Sequence, residues 1–269
     1  MIEKSTILFA LIGDNLAYDK RPQLANYLYG LMDENCALIP MNIRPDDLAF
    51  TLKGLKKSQF STIFLDRCYH ETVFPYLDHY SPFSAATHLV DTITIRDGEL
   101  YGDYTLIDDL FSTVCFEGKS LTLIGATPLA LAFVQKVETL FLSSICCVTQ
   151  TLEESSPLIE ALPSSLPFSS DWFSSSRAID VAQSEIIINT TSSKNLSFKG
   201  ATEKNLFIDF SLTPLQEFSQ GEIITGYDIA MRTFQNHYRN IFHKNPPMIT
   251  DYRDVLTEDF TRECQLTKG

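Results

Sequence analysis

Asp66 and His70 put an acid and an imidazole four residues apart in this chain. An imidazole titrates near neutral pH, so His70 is a candidate general acid or base. Asp66, four residues earlier, is placed to orient it or tune its charge. The same pair also suits a solvated helix start with a neighbouring acid. Six cysteines (Cys36, Cys68, Cys115, Cys146, Cys147 and Cys264) are scattered along the chain, and none forms a C-x-x-C pair. No zinc site is expected from them. Cys146-Cys147 lies in an apolar run and reads as a pair of core thiols.

The elements that must position such groups follow from pattern. Residues 5–13 form an apolar run ending in Gly-Asp-Asn, a buried strand and a turn. Helical spacing follows over 22–32, a second strand over 36–43, and an amphipathic helix over 46–57 with Leu48, Leu52 and Leu55 on one face. A third strand covers 60–65, a helical stretch 70–77, and a hairpin 90–101 turns at Asp97-Gly98 in a type I′ geometry. A helix is expected within 109–118. Beyond it, strands are expected at 121–125, 145–149, 185–189 and 206–210. Thr127 caps a helix running to about residue 141, with Pro128 at its first position. A Ser-rich stretch with Trp172 inside it covers 155–176, and a long helix covers 227–242 before a polar tail with one last short helix.

With 269 residues, two domains are the better expectation than one. Hydrophobic residues at 44% and charged residues at 20% are ordinary for a soluble globular protein. The net charge of -13 opposes nucleic acid and anionic membranes, and gives a polyanionic cofactor no long-range attraction. No apolar run approaches the ~20 residues of a membrane span. The first residues lack the features of a signal peptide, so a cytoplasmic location is expected.

The order of landmarks from Ile12 to about Arg239 resembles the shikimate/quinate dehydrogenase family. The match is densest over 71–102: E-T-V-F-P-Y-L-D, then S-P, then D-T-I, then D-G-E-L-Y-G. The family carries K-E-x-V-x-P-x-L-D, A-V-N-T-I and D-G-x-L-x-G-x-N-T-D in the same register. Gly13-Asp14, Ala17 and Pro22 follow its first loop. Asn189-Thr190-Thr191 follows its I-N-x-T strand end, and Thr213-Pro214 and Gly226 follow its later landmarks. The resemblance implies an N-terminal α/β domain with a mixed sheet (1–112) and a Rossmann-like domain with a parallel sheet (113–226). C-terminal helices (227–269) return to the first domain, and a cleft lies between the domains. It also implies an NADP-dependent oxidoreductase of aromatic amino acid biosynthesis.

The working positions have changed. The family's two carboxylate-binding serines become Asp19 and Arg21. Asp19 would repel a carboxylate, whereas Arg21 could grip one through two hydrogen bonds. The catalytic lysine becomes His70, and the aspartate of N-T-D becomes Leu106 in the segment Tyr104-Thr105-Leu106. Leu106 cannot exchange a proton. Asp91 stands for a substrate-binding asparagine, so the resemblance brings Asp66, His70 and Asp91 to the substrate pocket, as an acid–base group or part of a metal site. The family's late glutamine becomes Thr233, with Gln235 facing elsewhere. His237 and His243 are expected to be solvated.

The family's phosphate loop G-A-G-G-A-A-R becomes Gly125-Ala126-Thr127-Pro128-Leu129-Ala130-Leu131. Pro128 has no N–H to offer a pyrophosphate, and Leu129 is expected to crowd its approach. The NADP-selecting N-R-T becomes Thr149-Gln150-Thr151, without an arginine. The degenerate cofactor site thus comprises Gly125, Thr127, Thr149, Asn189 and Thr191. The expectation is a pseudoenzyme that binds a ligand or partner, with no cofactor and no resident metal. One alternative is an NAD- or NADP-dependent oxidoreductase acting on a shikimate- or quinate-like hydroxy acid, with His70 as acid/base and Arg21 holding the acid. Another is a non-redox enzyme using Asp66, His70 and Asp91. A small-molecule acid is the ligand class implied, and homodimerisation stays open.

Overall fold

The computed structural model describes residues 3–193, 196–212, 221–246, 252 and 255–256. Thr213-Pro214 and the expected tail helix lie largely outside these. The chain forms two compact α/β units, one of Met1–Tyr104 with Thr233–Gly269 and one of Thr105–Arg232.

The first unit begins with β1 (Ile7–Gly13), α1 (Arg21–Leu31), β2 (Cys36–Asn42), α2 (Leu48–Leu55) and β3 (Phe60–Leu65). The strand β4 (His79–Tyr80), the helix α3 (Pro82–Thr87) and the hairpin strands β5 (Thr92–Arg96) and β6 (Glu99–Asp103) follow. Its sheet has the order β2-β1-β3-β5-β6-β4. Strands β1, β2 and β3 are parallel, β5 runs antiparallel to β3 and β6, and β4 runs parallel to β6. The sheet is therefore mixed. The hairpin turns at Asp97 (φ 52) and Gly98 (φ 77), the two positive values a type I′ turn requires.

Alternation along β1 assigns its two faces. Ala10 and Ile12 share a core with Leu48, Leu52 and Leu55 of α2 and with Ile63 and Leu65 of β3. On the other face, Phe9 meets the Tyr29 ring of α1 at 5.4 Å. Full burial of each such side chain is worth about 1.5–3 kcal/mol. The outer edge of β2 is blunted by Asn26, whose amide donates to the Leu38 carbonyl (3.0 Å) and accepts from the Leu38 amide (2.8 Å). One side chain thereby satisfies both backbone groups that another strand would seek.

The stretch 70–77 is not a helix. It holds a single 3-10 turn, Phe74–Tyr76, and another, Arg67–Tyr69, precedes it. Pro75 lacks the N–H needed to continue a helical ladder. The helix expected within 109–118 instead runs earlier, as α4 (Leu106–Phe111), and opens the second unit.

That unit continues with β7 (Ser120–Ile124), α5 (Pro128–Lys136), β8 (Ser144–Thr149), α6 (Ser156–Glu160), β9 (Phe168–Trp172) and β10 (Ile179–Asp180). Strands β11 (Ile186–Asn189), β12 (Phe198–Lys199), β13 (Leu206–Asp209) and β14 (Glu222–Thr225) precede α7 (Gly226–Phe242). Six parallel strands have the order β14-β13-β11-β7-β8-β9, and β10 pairs with β12. The Ser-rich stretch, for which no element was expected, supplies both α6 and β9. As an edge strand, β9 stays mostly exposed, so it carries no apolar alternation to announce it.

The helix α5 is capped as expected, with Thr127 Oγ1 accepting from the Ala130 amide at 3.2 Å. It ends at Lys136 rather than near 141. A 3-10 turn over Val137–Leu140 and a left-handed Phe141 (φ 52) close it. Ile124, Val148, Ile187 and Phe207, one from each of four neighbouring strands, form the core of one face.

Candidate functional site

The loop after β1 brings Asp19 and Arg21 to the start of α1. Asp19 Oδ1 accepts from the Arg21 amide at 2.8 Å, satisfying one N–H at the helix start. Asp19 Oδ2 accepts from Arg21 Nε (2.8 Å) and Nη2 (2.5 Å), and the same Nη2 donates to Asp66 Oδ1 at 2.5 Å. The side chains of Asp19 and Arg21 are only 4% and 13% exposed. Burial works against the Arg21 charge, but the hydrogen bonds and charges of Asp19 and Asp66 outweigh it and raise its pKa. Burial also disfavours the Asp66 carboxylate, and Arg21 outweighs that cost and holds it below the usual range. Arg21 was expected as a clamp for a ligand's acid group. In the structure the guanidinium is bound through Nε and Nη2 by the protein's own carboxylates. The cause is proximity, since Asp19 is two residues away and Asp66 directly follows β3.

Cys68 donates from Sγ to Asp66 Oδ2 at 3.4 Å, a contact the sequence did not reveal. Burial, followed by the Asp66 and Asp14 charges, pushes its thiol up to about 11, so it stays protonated.

His70 is buried, and its Nε2 lies 3.2 Å from the Leu65 carbonyl oxygen. A carbonyl only accepts, so Nε2 carries the proton. Burial lowers the imidazole to about 4, although the Leu65 bond and Asp66 pull the other way. Its ring edge meets Tyr104 at 5.6 Å. Tyr104 is 1% exposed, and burial and then the Asp91 charge push its phenol well up. Asp91 is also buried, and its backbone ties β3 to β6 through Leu65 N (2.8 Å) and Asp103 O (3.0 Å). Among the described residues, no three His, Cys, Asp or Glu side chains are grouped to hold a metal ion.

Thr233 Oγ1 is buried without a hydrogen-bond partner among the described residues. Gln235, expected to face elsewhere, is buried. His237 was expected to be solvated. It is instead packed between Phe9 and Phe64, each 4.8 Å away, with Nε2 3.0 Å from Thr62 Oγ1. It falls on the apolar stripe of α7 with Phe234 and Tyr238. His243 is exposed, as expected.

In the second unit, the chain order places β8 and β9 on one side of β7 and β11, β13 and β14 on the other. The order reverses between β7 and β11, the switch point at which open α/β sheets bind ligands beyond their carboxyl ends. Gly125 has φ +100 there, and a Cβ on it would lie 2.5 Å from Thr191 Cγ2 and 2.9 Å from Thr190 Oγ1. The Thr190 amide (3.0 Å) and hydroxyl (2.8 Å) both donate to the Ile124 carbonyl. The two strand ends are therefore closed against each other. Gly125 donates to Val148 O at 2.8 Å. Thr191 donates from its amide and hydroxyl to Asn189 Oδ1 (3.0 and 2.8 Å), and Asn189 Nδ2 reaches Asp209 Oδ1 at 3.3 Å.

Asp209 was not foreseen. Both I-I-I-N and L-F-I-D end an apolar strand in a polar residue, and this was its signal: parallel pairing puts Asn189 opposite Asp209. Thr149 donates to the Thr151 carbonyl at 2.5 Å, and Glu154 accepts from the Gln150 amide at 3.1 Å. Leu129, which follows Pro128 at the start of α5, is buried at 4% exposure.

The chain is thus a two-unit α/β protein with one mixed sheet and one parallel sheet in Rossmann order. No family model matches it. It is 26% identical over 199 residues to shikimate dehydrogenase (NADP(+)) of Streptococcus pneumoniae strain P1031, covering 70% of this chain and 69% of that protein. It is also 26% identical over 200 residues to the enzyme of the same name from Moorella thermoacetica, covering 71% and 68%. In fold it is similar to the shikimate dehydrogenase of Aquifex aeolicus (TM-score 0.76, 17% identity, 95% of this chain and 98% of the other). It is also similar to the 5-ketofructose reductase of Gluconobacter sp. strain CHM43 (TM-score 0.74, 15% identity, 94% and 97%). The chain resembles the shikimate dehydrogenases in both sequence and fold, as a strongly divergent relative. Among the described residues, no helix is long and apolar enough to cross a membrane.

Proposed function

We propose that this chain is a shikimate dehydrogenase-like protein without shikimate dehydrogenase activity, which acts by binding a ligand or a partner. The commitment of Arg21 to Asp19 and Asp66 carries the reading. Two carboxylates already hold this guanidinium where the resemblance puts a substrate carboxylate, so less of its charge is left to attract one. His70 supports the same conclusion. With a pKa of about 4 it is a poor proton acceptor at neutral pH, and its Nε2 proton is held by Leu65. Leu106, in place of the aspartate, has no proton to give.

The residues at the switch point do not fit the phosphates of a nicotinamide dinucleotide. The Gly125 amide is used by Val148 and the Ala130 amide by Thr127, and Pro128 has none. The Thr149 hydroxyl is used by Thr151, and the Glu154 carboxylate lies against Gln150, in the segment where the resemblance puts an arginine for a 2′-phosphate.

Calorimetric titration with NADP, NAD and shikimate tests this reading, together with an assay for shikimate-dependent NADP reduction. No heat of binding and no turnover are expected. Micromolar affinity for either nicotinamide would overturn it.

A further inference from the structure

We infer that the amino end of the parallel sheet in the second unit holds a small binding site for a neutral, polyhydroxylated molecule such as a cyclic polyol or a single sugar ring. A cavity of about 190 Å³, open on one side, lies where β7, β8 and β9 begin. This is the opposite end of the sheet from the switch point at Gly125, so the site does not depend on what the switch point binds. The space equals about six waters at liquid density, and it is smaller than the pockets of about 300 Å³ and above that take drug-sized ligands.

The lining specifies the chemistry. Ser144 and Gln183 bring a hydroxyl and an amide beside the apolar Leu121, Ile145 and Pro167, while the Ser184 hydroxyl is shared with Thr122 at 2.5 Å and Ser169 bonds the Cys146 thiol. Hydroxyls and amides both donate and accept, which matches a ligand whose own hydroxyls do the same. No formally charged side chain lines the cavity. The charges at its margin, Lys119 and Glu185, are paired with each other at 2.7 Å, so neither calls for a counter-ion. An ion would be taken from water with nothing to balance it, whereas a neutral polyol would not. Phe168, 54% exposed, adds an aromatic face against which the C–H side of a ring can lie.

Cys146 provides the readout. Iodoacetamide alkylation of the intact protein is followed by peptide mass spectrometry, with myo-inositol, glucose or glycerol as probe and acetate as charged control. A bound polyol is expected to slow alkylation at Cys146 by about threefold near a twofold excess over Kd. Alkylation at the exposed Cys115 should not change. S144F, which fills the cavity, should abolish the protection, and the buried Cys147 reports in the same experiment that the variant is folded. Q183A, at the exposed rim, should weaken protection without affecting the fold. Equal alkylation with and without every polyol would overturn the inference. So would protection that survives in S144F, or protection by acetate as strong as by the polyols.

Discussion

Arg21 Nη2 lies 2.5 Å from Asp66 Oδ1, which joins the loop after β1 to the end of β3 across 45 residues of chain. The same nitrogen is bound by Asp19, so one guanidinium balances two carboxylates in a largely buried place. A buried ion pair contributes little net stability when intact, because desolvation offsets most of the attraction. Removing one partner is a different matter, because the other charges stay behind.

Arg21→Met should therefore destabilise the protein by about 3–5 kcal/mol, the range for an uncompensated buried charge. Urea unfolding at neutral pH measures it. Adding Asp19→Asn and Asp66→Asn to the same chain should recover part of the loss. A loss below about 1 kcal/mol for the single change would mean that the triad is solvated.

Acid should destabilise the protein through two histidines. An unfolded chain takes up a proton at each imidazole near pH 6.5, whereas folded His70 and His237 resist protonation until about 4. Between these values the unfolded state holds more protons, so stability is full above about pH 6.5 and falls as the pH drops toward 4. The loss reaches about 3 kcal/mol per histidine at most. Unfolding midpoints measured across this range should flatten with pH in His237→Phe and flatten further when His70→Asn is added.

At the switch point, Gly125→Ala should cost about 1–3 kcal/mol, because alanine is strained at positive φ and its Cβ meets the Thr191 methyl. Thr191→Ser removes that methyl. The double variant should lose less than the sum of the two single losses, a coupling read from a double-mutant cycle of thermal unfolding. Strict additivity would show that the strand ends are not in contact.

Asn26→Ala should lower stability by about 1–2 kcal/mol through its two lost hydrogen bonds. It should also raise light scattering at high concentration, because the backbone of β2 at Leu38 is then left to pair with another chain.

Much of the first unit was legible because its signals are local. Leu48, Leu52 and Leu55 share a helix face by spacing alone, and Asp97-Gly98 specifies its turn by the backbone angles those residues tolerate. The stretch 70–77 misled because its apolar spacing is helical while Pro75 forbids the ladder. The strand β9 was missed because an exposed edge strand of serines carries no hydrophobic period.

By itself the sequence determined the main strands of both units, the amphipathic helix that carries Leu48, Leu52 and Leu55, and the turn at Asp97-Gly98. These are matters of residue type, spacing and turn chemistry, which neighbours along the chain set. Only the tertiary structure decided that Arg21 belongs to Asp66, that His237 is packed between Phe9 and Phe64, and that Gly125 is pressed against Thr191. Each of these joins residues far apart in sequence. Burial then makes the pairing decisive, because a charge or a polar hydrogen removed from water must find whichever partner the fold has brought within reach.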